Sequence, residues 1–279
     1  MSENTAPRRR SRPARSLWLG VATLGLLAAT AVFAPVLAPH DPIEQQLSAD
    51  LAAPSLEHPF GRDKLGRDQL SRVIYGARVS LVVGITAVLI SAGLGIAIGA
   101  VAGFLAGAVD FWIMRVVDVL LAFPGILLAI AMSAVMGPSL TTVVVALSVI
   151  GWTGYARLVR AEVRAIRARE HVEAARALGI APSRIVLRHV LPLTAAPVLV
   201  QATFGMAGAI VAEASLSFLG LGVQPPTPSW GAMVNEGRAF LLVAPHLVLY
   251  PGMAIFVTVL GLNFLGDGLR DLLDVRGQR

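Results

Sequence analysis

Long apolar runs separated by short polar segments are the dominant pattern of this sequence. An α-helix rises about 1.5 Å per residue, so a run of about 20 apolar residues crosses a hydrocarbon core of about 30 Å. The pattern predicts an all-α, polytopic membrane bundle of six transmembrane helices, at about 17–39, 80–105, 112–136, 140–155, 193–219 and 247–265. The first run exceeds the roughly 7–15 apolar residues of a signal peptide, so we expect a retained helix.

Composition agrees with a membrane protein, and the distribution of charge predicts its orientation. Hydrophobic residues make up 56% of the 279 residues and charged residues only 14%, whereas soluble domains carry about 25% charged residues. The first sixteen residues hold five Arg and one acidic residue, and 157–189 holds eight Arg and three Glu. The positive-inside rule places both segments in the cytoplasm, together with the C-terminus. The net charge of +6 is then a topology signal rather than a sign of nucleic-acid binding.

This topology divides the chain into four parts. We expect a cytoplasmic tail at 1–16, and a first transmembrane helix with an extracytoplasmic loop at 17–78. The main transmembrane domain is expected at 79–270, with a cytoplasmic hairpin at 157–190, and a second cytoplasmic tail at 271–279. Prolines at 124, 192, 197 and 251 lie within or at the edges of spans, where they interrupt helical hydrogen bonding.

Small residues recur every four positions along the second span. Glycine allows another helix backbone to approach closely, so we expect packing against a helix of this chain or of a second transmembrane subunit. The stripe begins at Ser91 and continues through Gly95, Gly99, Gly103 and Gly107.

Charged residues near the spans require a reason, because a charge in the hydrocarbon core is costly. Asp110, Arg115 and Asp118 lie near the predicted cytoplasmic interface, where we expect them to pair or to reach the interface. Glu213 lies deeper, and we expect it to be a structural hydrogen-bonding group or to face a cavity rather than to carry protons.

Motifs for catalysis are missing from the sequence. The single lysine, Lys64, does not lie in a phosphate-binding G-x-x-x-x-G-K-[ST] loop, and the sequence lacks H-E-x-x-H and G-x-S-x-G. With five scattered histidines and no cysteine, we predict neither a catalytic residue nor a metal site. The chain alone is therefore not expected to hydrolyse ATP, and active transport would draw on an ion gradient or on another subunit.

The hairpin at 157–190 combines arginine, alanine and helix-ending residues. Ala174, Ala175 and Leu178 form a small, mostly apolar face, and Glu173 and Arg176 add polar groups. Gly179 is placed to end the first helix in a left-handed cap. Pro182 suits the start of a second helix, and Pro192 is expected to end it. We interpret the hairpin as a docking element for another protein, and the alternative is an ordinary solvated loop.

Several motifs resemble one family. Glu173-Ala174-Ala175, then Gly179 after three residues, and Leu191-Pro192 match the EAA loop of ATP-binding-cassette (ABC) importer permeases. The general pattern has an aliphatic residue where this chain has His189, a departure that is familiar in the peptide-importer branch. The chain also resembles this branch, and most of all its C-type subunit, over 58–81, 114–124, 213–231 and 263–276.

The resemblance implies a six-helix type I importer permease in a bacterial inner membrane. Its expected partners are a homologous second permease, two cytoplasmic ATPases that would bind ATP and magnesium, and an extracytoplasmic solute-binding protein. The resemblance also implies that the chain itself binds no cofactor and that the hairpin is the coupling helix, with Glu173, Ala174, Ala175, Arg176, Leu178 and Gly179 at the ATPase interface. The implied cargo is a di- or oligopeptide. Nickel, glutathione and other small solutes remain alternatives, as does an ion-coupled transporter with Glu213 as its coupling site.

Overall fold

A computed structural model of the chain describes residues 13–274, with side chains for 15–273. The rest of the two predicted tails, 1–12 and 275–279, lies outside the described residues. Within the described part, regular structure is helical apart from one isolated bridge between Arg62 and Asp68. The helices are α1 Pro13–Val32, α2 Ala34–Leu37, α3 Gln69–Leu105, α4 Gly107–Ala122, α5 Gly125–Met136, α6 Leu140–Arg167, α7 Glu170–Ala177, α8 Pro182–Ile185, α9 Leu191–Phe218, α10 Trp230–Gly237 and α11 His246–Asp274.

Five helical segments of the described chain are long and apolar enough to cross a membrane, and a sixth span is present if α4 and α5 count together. The prediction of one continuous helix over 112–136 is wrong, because α4 and α5 meet at a bend of 80°. Phe123 is extended (φ −88°, ψ 132°) and precedes Pro124. Proline disfavours helical geometry in the residue before it, so α4 ends there.

Two other helices extend well beyond the predicted apolar runs. The helix predicted from residue 80 begins at Gln69, because Asp68 caps it by accepting a hydrogen bond from the backbone N–H of Ser71 at 2.7 Å. The apolar run that ends at Tyr155 continues without a break to Arg167, in agreement with a helix that leads from the span into the predicted hairpin region. Each helix therefore carries a polar extension past its apolar core.

The predicted end of a helix at Pro192 is also wrong. A five-residue π segment, Val186–Val190, joins α8 to α9, and the helical path continues from Pro182 to Phe218. Proline lacks the N–H that would complete the α-helical pattern. The wider π turn just before Pro192, in which Leu191 N–H donates to the Val186 carbonyl, lets the chain pass the proline without stopping.

Helix α3 lies at the centre of the bundle and contacts α1, α6, α9 and α4. On one side α1 packs against α11, where Gly20 faces Leu265 and Gly261 faces Thr23. We call the end of the bundle that carries α7 and α8 the hairpin end. The opposite end, formed by segments 38–68 and 219–246, is called the loop end.

Candidate functional site

The predicted hairpin, 157–190, comprises the last turns of α6 and the two short helices α7 and α8, which are joined by a tight turn. Gly179 follows α7 with φ +72°. Its N–H donates to the Arg176 carbonyl at 2.9 Å, and the N–H of Ile180 donates to the Ala175 carbonyl at 3.1 Å. This pair of bonds is the Schellman motif, so the left-handed cap predicted at Gly179 is confirmed. Pro182 begins α8, as predicted.

Apolar side chains on the inner face attach the hairpin to α6. Val172 and Ala175 of α7 and Ile185 of α8 share one buried cluster with Val163 and Ile166 of α6. The placement of Ala175 differs from the prediction of an interface residue, since its side chain is only 5% exposed and packs inside the bundle. Residues three apart on a helix share a face, and Ala175 therefore follows Val172 into the core.

The outer face of the hairpin is open to solvent and chemically mixed. Glu173, Ala174 and Arg176 are exposed, and the side chain of Leu178 is 81% exposed. The Arg176 guanidinium lies over the ring of Phe104, 5.2 Å from its centroid, which connects α7 to the end of α3. A surface with an acid, a base and an apolar tip on a firmly attached helix is suited to contact another protein.

Arginines of α6 fasten the base of the hairpin to α4. Arg160 makes two hydrogen bonds to the carboxylate of Asp110, the second at 2.6 Å, and Arg164 approaches the same carboxylate at 3.4 Å. Arg157 pairs with Asp118 in a more exposed position. Asp110 and Asp118, which were expected near an interface, thus pair with arginines of α6. Asp110 and Arg160 are 50 residues apart along the chain.

The glycine stripe of α3 faces α6, the helix that carries the hairpin. A β-carbon at Gly99 would lie 2.5 Å from the carbonyl oxygen of Ala156, and one at Gly103 would lie 2.8 Å from that of Arg160. Gly95 faces Tyr155 in the same way. Gly107 differs from the prediction, because it is exposed, begins α4 with φ +60°, and has open space where a β-carbon would be.

Glu213 is fully buried near the loop end of α9. One carboxylate oxygen accepts a hydrogen bond from the Ser217 hydroxyl at 2.7 Å, and the hydroxyl oxygen of Ser217 in turn accepts one from the Val223 N–H at 3.1 Å. The side chain therefore links α9 to the segment that follows it.

A separate cavity of about 330 Å³ lies between α3, α5, α6 and α9. Its wall is mostly small and apolar, and its polar groups come from Ser91, Tyr155 and Gln201. The Tyr155 hydroxyl donates to the backbone carbonyl of Gln201 at 3.4 Å. Sequence reasoning did not find this set, because its members are single residues on three separate helices.

At the loop end, a buried ionic network joins the 38–68 segment to α10. Asp63 and Arg67 are 2.6 Å apart, and Glu236 of α10 accepts from Arg67 at 2.8 Å and from Arg72 at 3.2 Å. The side chains of Asp63, Arg67 and Arg72 are no more than 5% exposed. Buried charges in such a network hold one arrangement of the loop, since any separation leaves a charge without a partner.

Comparison with known proteins agrees with this architecture. A family described as "Binding-protein-dependent transport system inner membrane component" matches residues 95–278, and the "N-terminal TM domain of oligopeptide transport permease C" matches residues 9–54. A glutathione transport system permease protein of Escherichia coli O157:H7 is 48% identical over 251 residues, which cover 89% of this chain and 82% of the relative. A dipeptide transport system permease protein of Alkalihalophilus pseudofirmus is 45% identical over 259 residues, covering 91% and 85%.

A solved structure has the same kind of fold. The methionine ABC transporter MetNI, in an inward-facing conformation, matches with a TM-score of 0.53 over 75% of this chain and 96% of the matched chain, at 16% identity. At that identity the likeness concerns the fold, which is the helical architecture of an ABC importer permease.

Proposed function

Because the chain belongs to the family of binding-protein-dependent transport system permeases, in its oligopeptide permease C branch, we propose that it forms half of a membrane path for di- and oligopeptides. As a member of this family it is a multi-pass inner-membrane permease of an ABC importer, not an ATPase, and it carries no cofactor. Such a permease works with an ATPase, a binding protein and a partner permease.

Family membership decides between the two classes of transporter that the sequence left open. An ABC importer takes its energy from ATP hydrolysed in another subunit, so Glu213 is not required as an ion-coupling site. Its full burial and its bond to Ser217 support a structural role.

The exposed face of the hairpin is the observation that carries the coupling part of the proposal. Glu173, Ala174, Arg176 and Leu178 face outward, while Val172 and Ala175 anchor the helix to the bundle. A partner ATPase that contacts the outer face would push or pull α7 as a unit, because the inner face is close-packed and α6 is fastened to α3 and α4. We propose one such contact in each half of the complex, with the Schellman hydrogen bonds at Gly179 and Ile180 holding the turn in place.

Peptide cargo is proposed from the relatives and from the cavity. The relatives include permeases named for dipeptides and for glutathione, and both are small molecules with amide bonds and charged ends. The polar groups of Ser91, Tyr155 and Gln201 offer donors and acceptors for amides in an otherwise apolar cavity. Glutathione is the second candidate, on the ground of the 48% identity, and nickel or another small solute remains a further alternative.

The orientation is proposed from the arginines. With the hairpin in the cytoplasm, the loop end faces outward and receives the binding protein, and both termini lie inside. The mechanism then follows by steps. The ATPases bind ATP and close, the two hairpins approach, and the cavity opens outward. Cargo enters from the binding protein, and hydrolysis returns the cavity to the inside.

Reversal of one charge on the hairpin tests the proposal. Co-purification with the ATPase subunits, ATPase activity and peptide uptake are measured for wild type, Glu173→Arg and the control Asp50→Arg, an exposed acid at the loop end. We expect Glu173→Arg to lose ATPase binding and uptake while the control retains both. Wild-type coupling in Glu173→Arg would contradict the docking role. Uptake without any ATPase subunit that collapses with an uncoupler would instead favour ion coupling.

Cargo is identified by a separate measurement. The ligand retained by the cognate binding protein after gentle purification is determined by mass spectrometry. A mixture of short peptides is the expected result, glutathione alone would select the second candidate, and a bound nickel ion would contradict peptide transport.

A further inference from the structure

Two histidines and a glutamate meet at the loop end, away from the interior cavity and from the hairpin. His40 follows α2, and Glu57 and His58 lie in the segment that leads to α3. One ligand atom from each of the three side chains lies within 4.8 Å of the other two, and the imidazole rings are 4.4 Å apart. The scattered positions of the histidines in sequence concealed this arrangement.

His58 is held in the way that metal-binding imidazoles are held. Its Nδ1 is 2.8 Å from a carboxylate oxygen of Asp68, and the carboxylate can only accept, so Nδ1 carries the proton. The lone pair is therefore on Nε2, which lies 3.8 Å from the carboxylate of Glu57. A carboxylate behind the ring is the usual outer-shell partner of a histidine that binds a metal ion.

Asp68 is itself fixed. Its second carboxylate oxygen accepts from the backbone N–H and from the hydroxyl of Ser71, both at 2.7 Å, as the cap of α3. The orientation of His58 is thus set by the start of a long membrane helix rather than by a free loop.

His40 supplies a second imidazole, one of whose nitrogens lacks a hydrogen-bond partner within the described chain. Its Nδ1 is buried without a hydrogen-bond partner among the described residues and lies 3.8 Å from Asp68. A buried polar atom without a hydrogen-bond partner is destabilising, because it has lost its contact with water and gained no other partner. Coordination of a metal ion through Nδ1 of this side chain would satisfy that atom.

The surrounding charge favours a cation. The three residues line a cavity of about 220 Å³ together with the carboxylates of Asp41, Glu44 and Asp68. One positive group is also present, since Arg62 donates to Nε2 of His58 at 2.5 Å. The Arg62 guanidinium also donates to the side chain of Gln46 and to the carbonyl of Gly66, the latter at 3.3 Å. These two acceptors can hold the guanidinium when a metal ion displaces it from His58.

We propose that His40, Glu57 and His58 bind a divalent transition-metal ion of the zinc class, in competition with the guanidinium of Arg62. Imidazole and carboxylate ligands suit Zn²⁺ and Ni²⁺, whereas Mg²⁺ prefers oxygen ligands alone. Tetrahedral zinc with bonds of about 2.0–2.1 Å brings its ligand atoms to roughly 3.4 Å from one another. The side chain of Glu57 is 78% exposed and can make the small movement required.

The bound ion would connect the chain leaving α2 to the cap of α3. It would stabilise one arrangement of the loop end, at a cavity whose lining residues differ from those of the interior cavity. The site is therefore independent of the proposed transport function, and either can fail without the other.

Metal titration of the purified, untagged full chain in detergent tests the proposal. After treatment with a chelator, Zn²⁺ is added in competition with a chromophoric chelator, with Mg²⁺ as the negative control. We expect one Zn²⁺ per wild-type chain, and at least about a tenfold weaker affinity in Glu57→Gln and His40→Ala. Arg62→Gln should bind more tightly than wild type, because the competing cation is removed.

His171→Gln is the matched control, since this exposed histidine lies on the hairpin, and its affinity should equal that of wild type. Glu57→Gln decides the outcome if His40→Ala does not fold, because the exposed Glu57 side chain supports no buried structure. Equal affinity in wild type and Glu57→Gln, no stoichiometric binding to wild type, or binding only in Arg62→Gln would each overturn the proposal.

Discussion

The two ends of the bundle are held together by opposite kinds of interaction. At the hairpin end, most buried side chains are apolar, as in the cluster of Val163, Val172 and Ile185, and Asp110 is a buried acid whose arginine partners reach the surface. At the loop end, the charges themselves are buried, and Asp63, Arg67 and Arg72 are almost fully enclosed. The hairpin end is thus held mainly by apolar contacts, and the loop end is held by a network of buried charges.

This difference corresponds to what each end is proposed to do. An apolar inner face attaches most of α7, which leaves Glu173 available to a partner, while Arg176 also lies over the ring of Phe104. A buried ionic network, in contrast, pairs its charges with one another and tolerates few arrangements. The hairpin end is therefore suited to transmit force to a partner, and the loop end is suited to keep its shape while α3, α9 and α11 move.

The largest effect is expected from the loop end. Asp63→Ala removes one of the two acids that pair with Arg67 and Arg72, both buried, and leaves Glu236 as their only acidic partner among the described residues. Removing one partner of a buried ion pair costs about 3–5 kcal/mol. We expect the free energy of unfolding, measured by denaturing-detergent titration, to fall by about this amount. Asp50→Asn is the control, because Asp50 is exposed in the same segment. Equal losses in the two variants would mean that the network does not hold this end.

A smaller loss is expected at the hairpin end. Asp110→Asn weakens two hydrogen bonds from Arg160 and the approach of Arg164, and hydrogen bonds to charged groups contribute about 1.5–3 kcal/mol. Asp118→Asn is the matched control, because its pair with Arg157 is half exposed and such pairs contribute about 0–1 kcal/mol. The same titration compares the two, and hydrogen exchange should increase in α7 for Asp110→Asn only. An equal effect of both substitutions would contradict the difference in burial.

The sequence predicted the apolar runs, the hairpin and its glycine cap, because each depends on local periodicity or on one residue with special backbone freedom. The 80° bend between α4 and α5 was not predicted. Pro124 marked an interruption, but the angle after an interruption is set by packing against other helices. The prediction that a helix ends at Pro192 was wrong, because the π segment before Pro192 accommodates the missing N–H of the proline.

The candidate site was predictable to the same degree. Glu173, Ala174 and Gly179 were identified from the motif, whereas the inward position of Ala175 required knowledge of which face of α7 meets α6. The pairing of Asp110 with Arg160, the cavity around Gln201 and the meeting of His40 with His58 join residues from distant parts of the chain. No local pattern encodes such contacts.

The smallest effect is expected from the contact that joins α3 to α6. Gly99→Ala would place a methyl group 2.5 Å from the backbone carbonyl oxygen of Ala156. Because the clashing atom belongs to the backbone, the clash is relieved only if α3 and α6 move apart. Overpacking of this kind costs about 1–3 kcal/mol, offset by up to about 1 kcal/mol from the better helix propensity of alanine. Gly93→Ala is the matched control, since Gly93 lies on the same helix with nothing within 4 Å of an added β-carbon, and it should be neutral or stabilising. Because α6 carries the hairpin, Gly99→Ala should also lower uptake at unchanged ATPase binding. If Gly99→Ala matched Gly93→Ala in both stability and uptake, the close approach of α3 and α6 would not be required to couple the bundle to the hairpin.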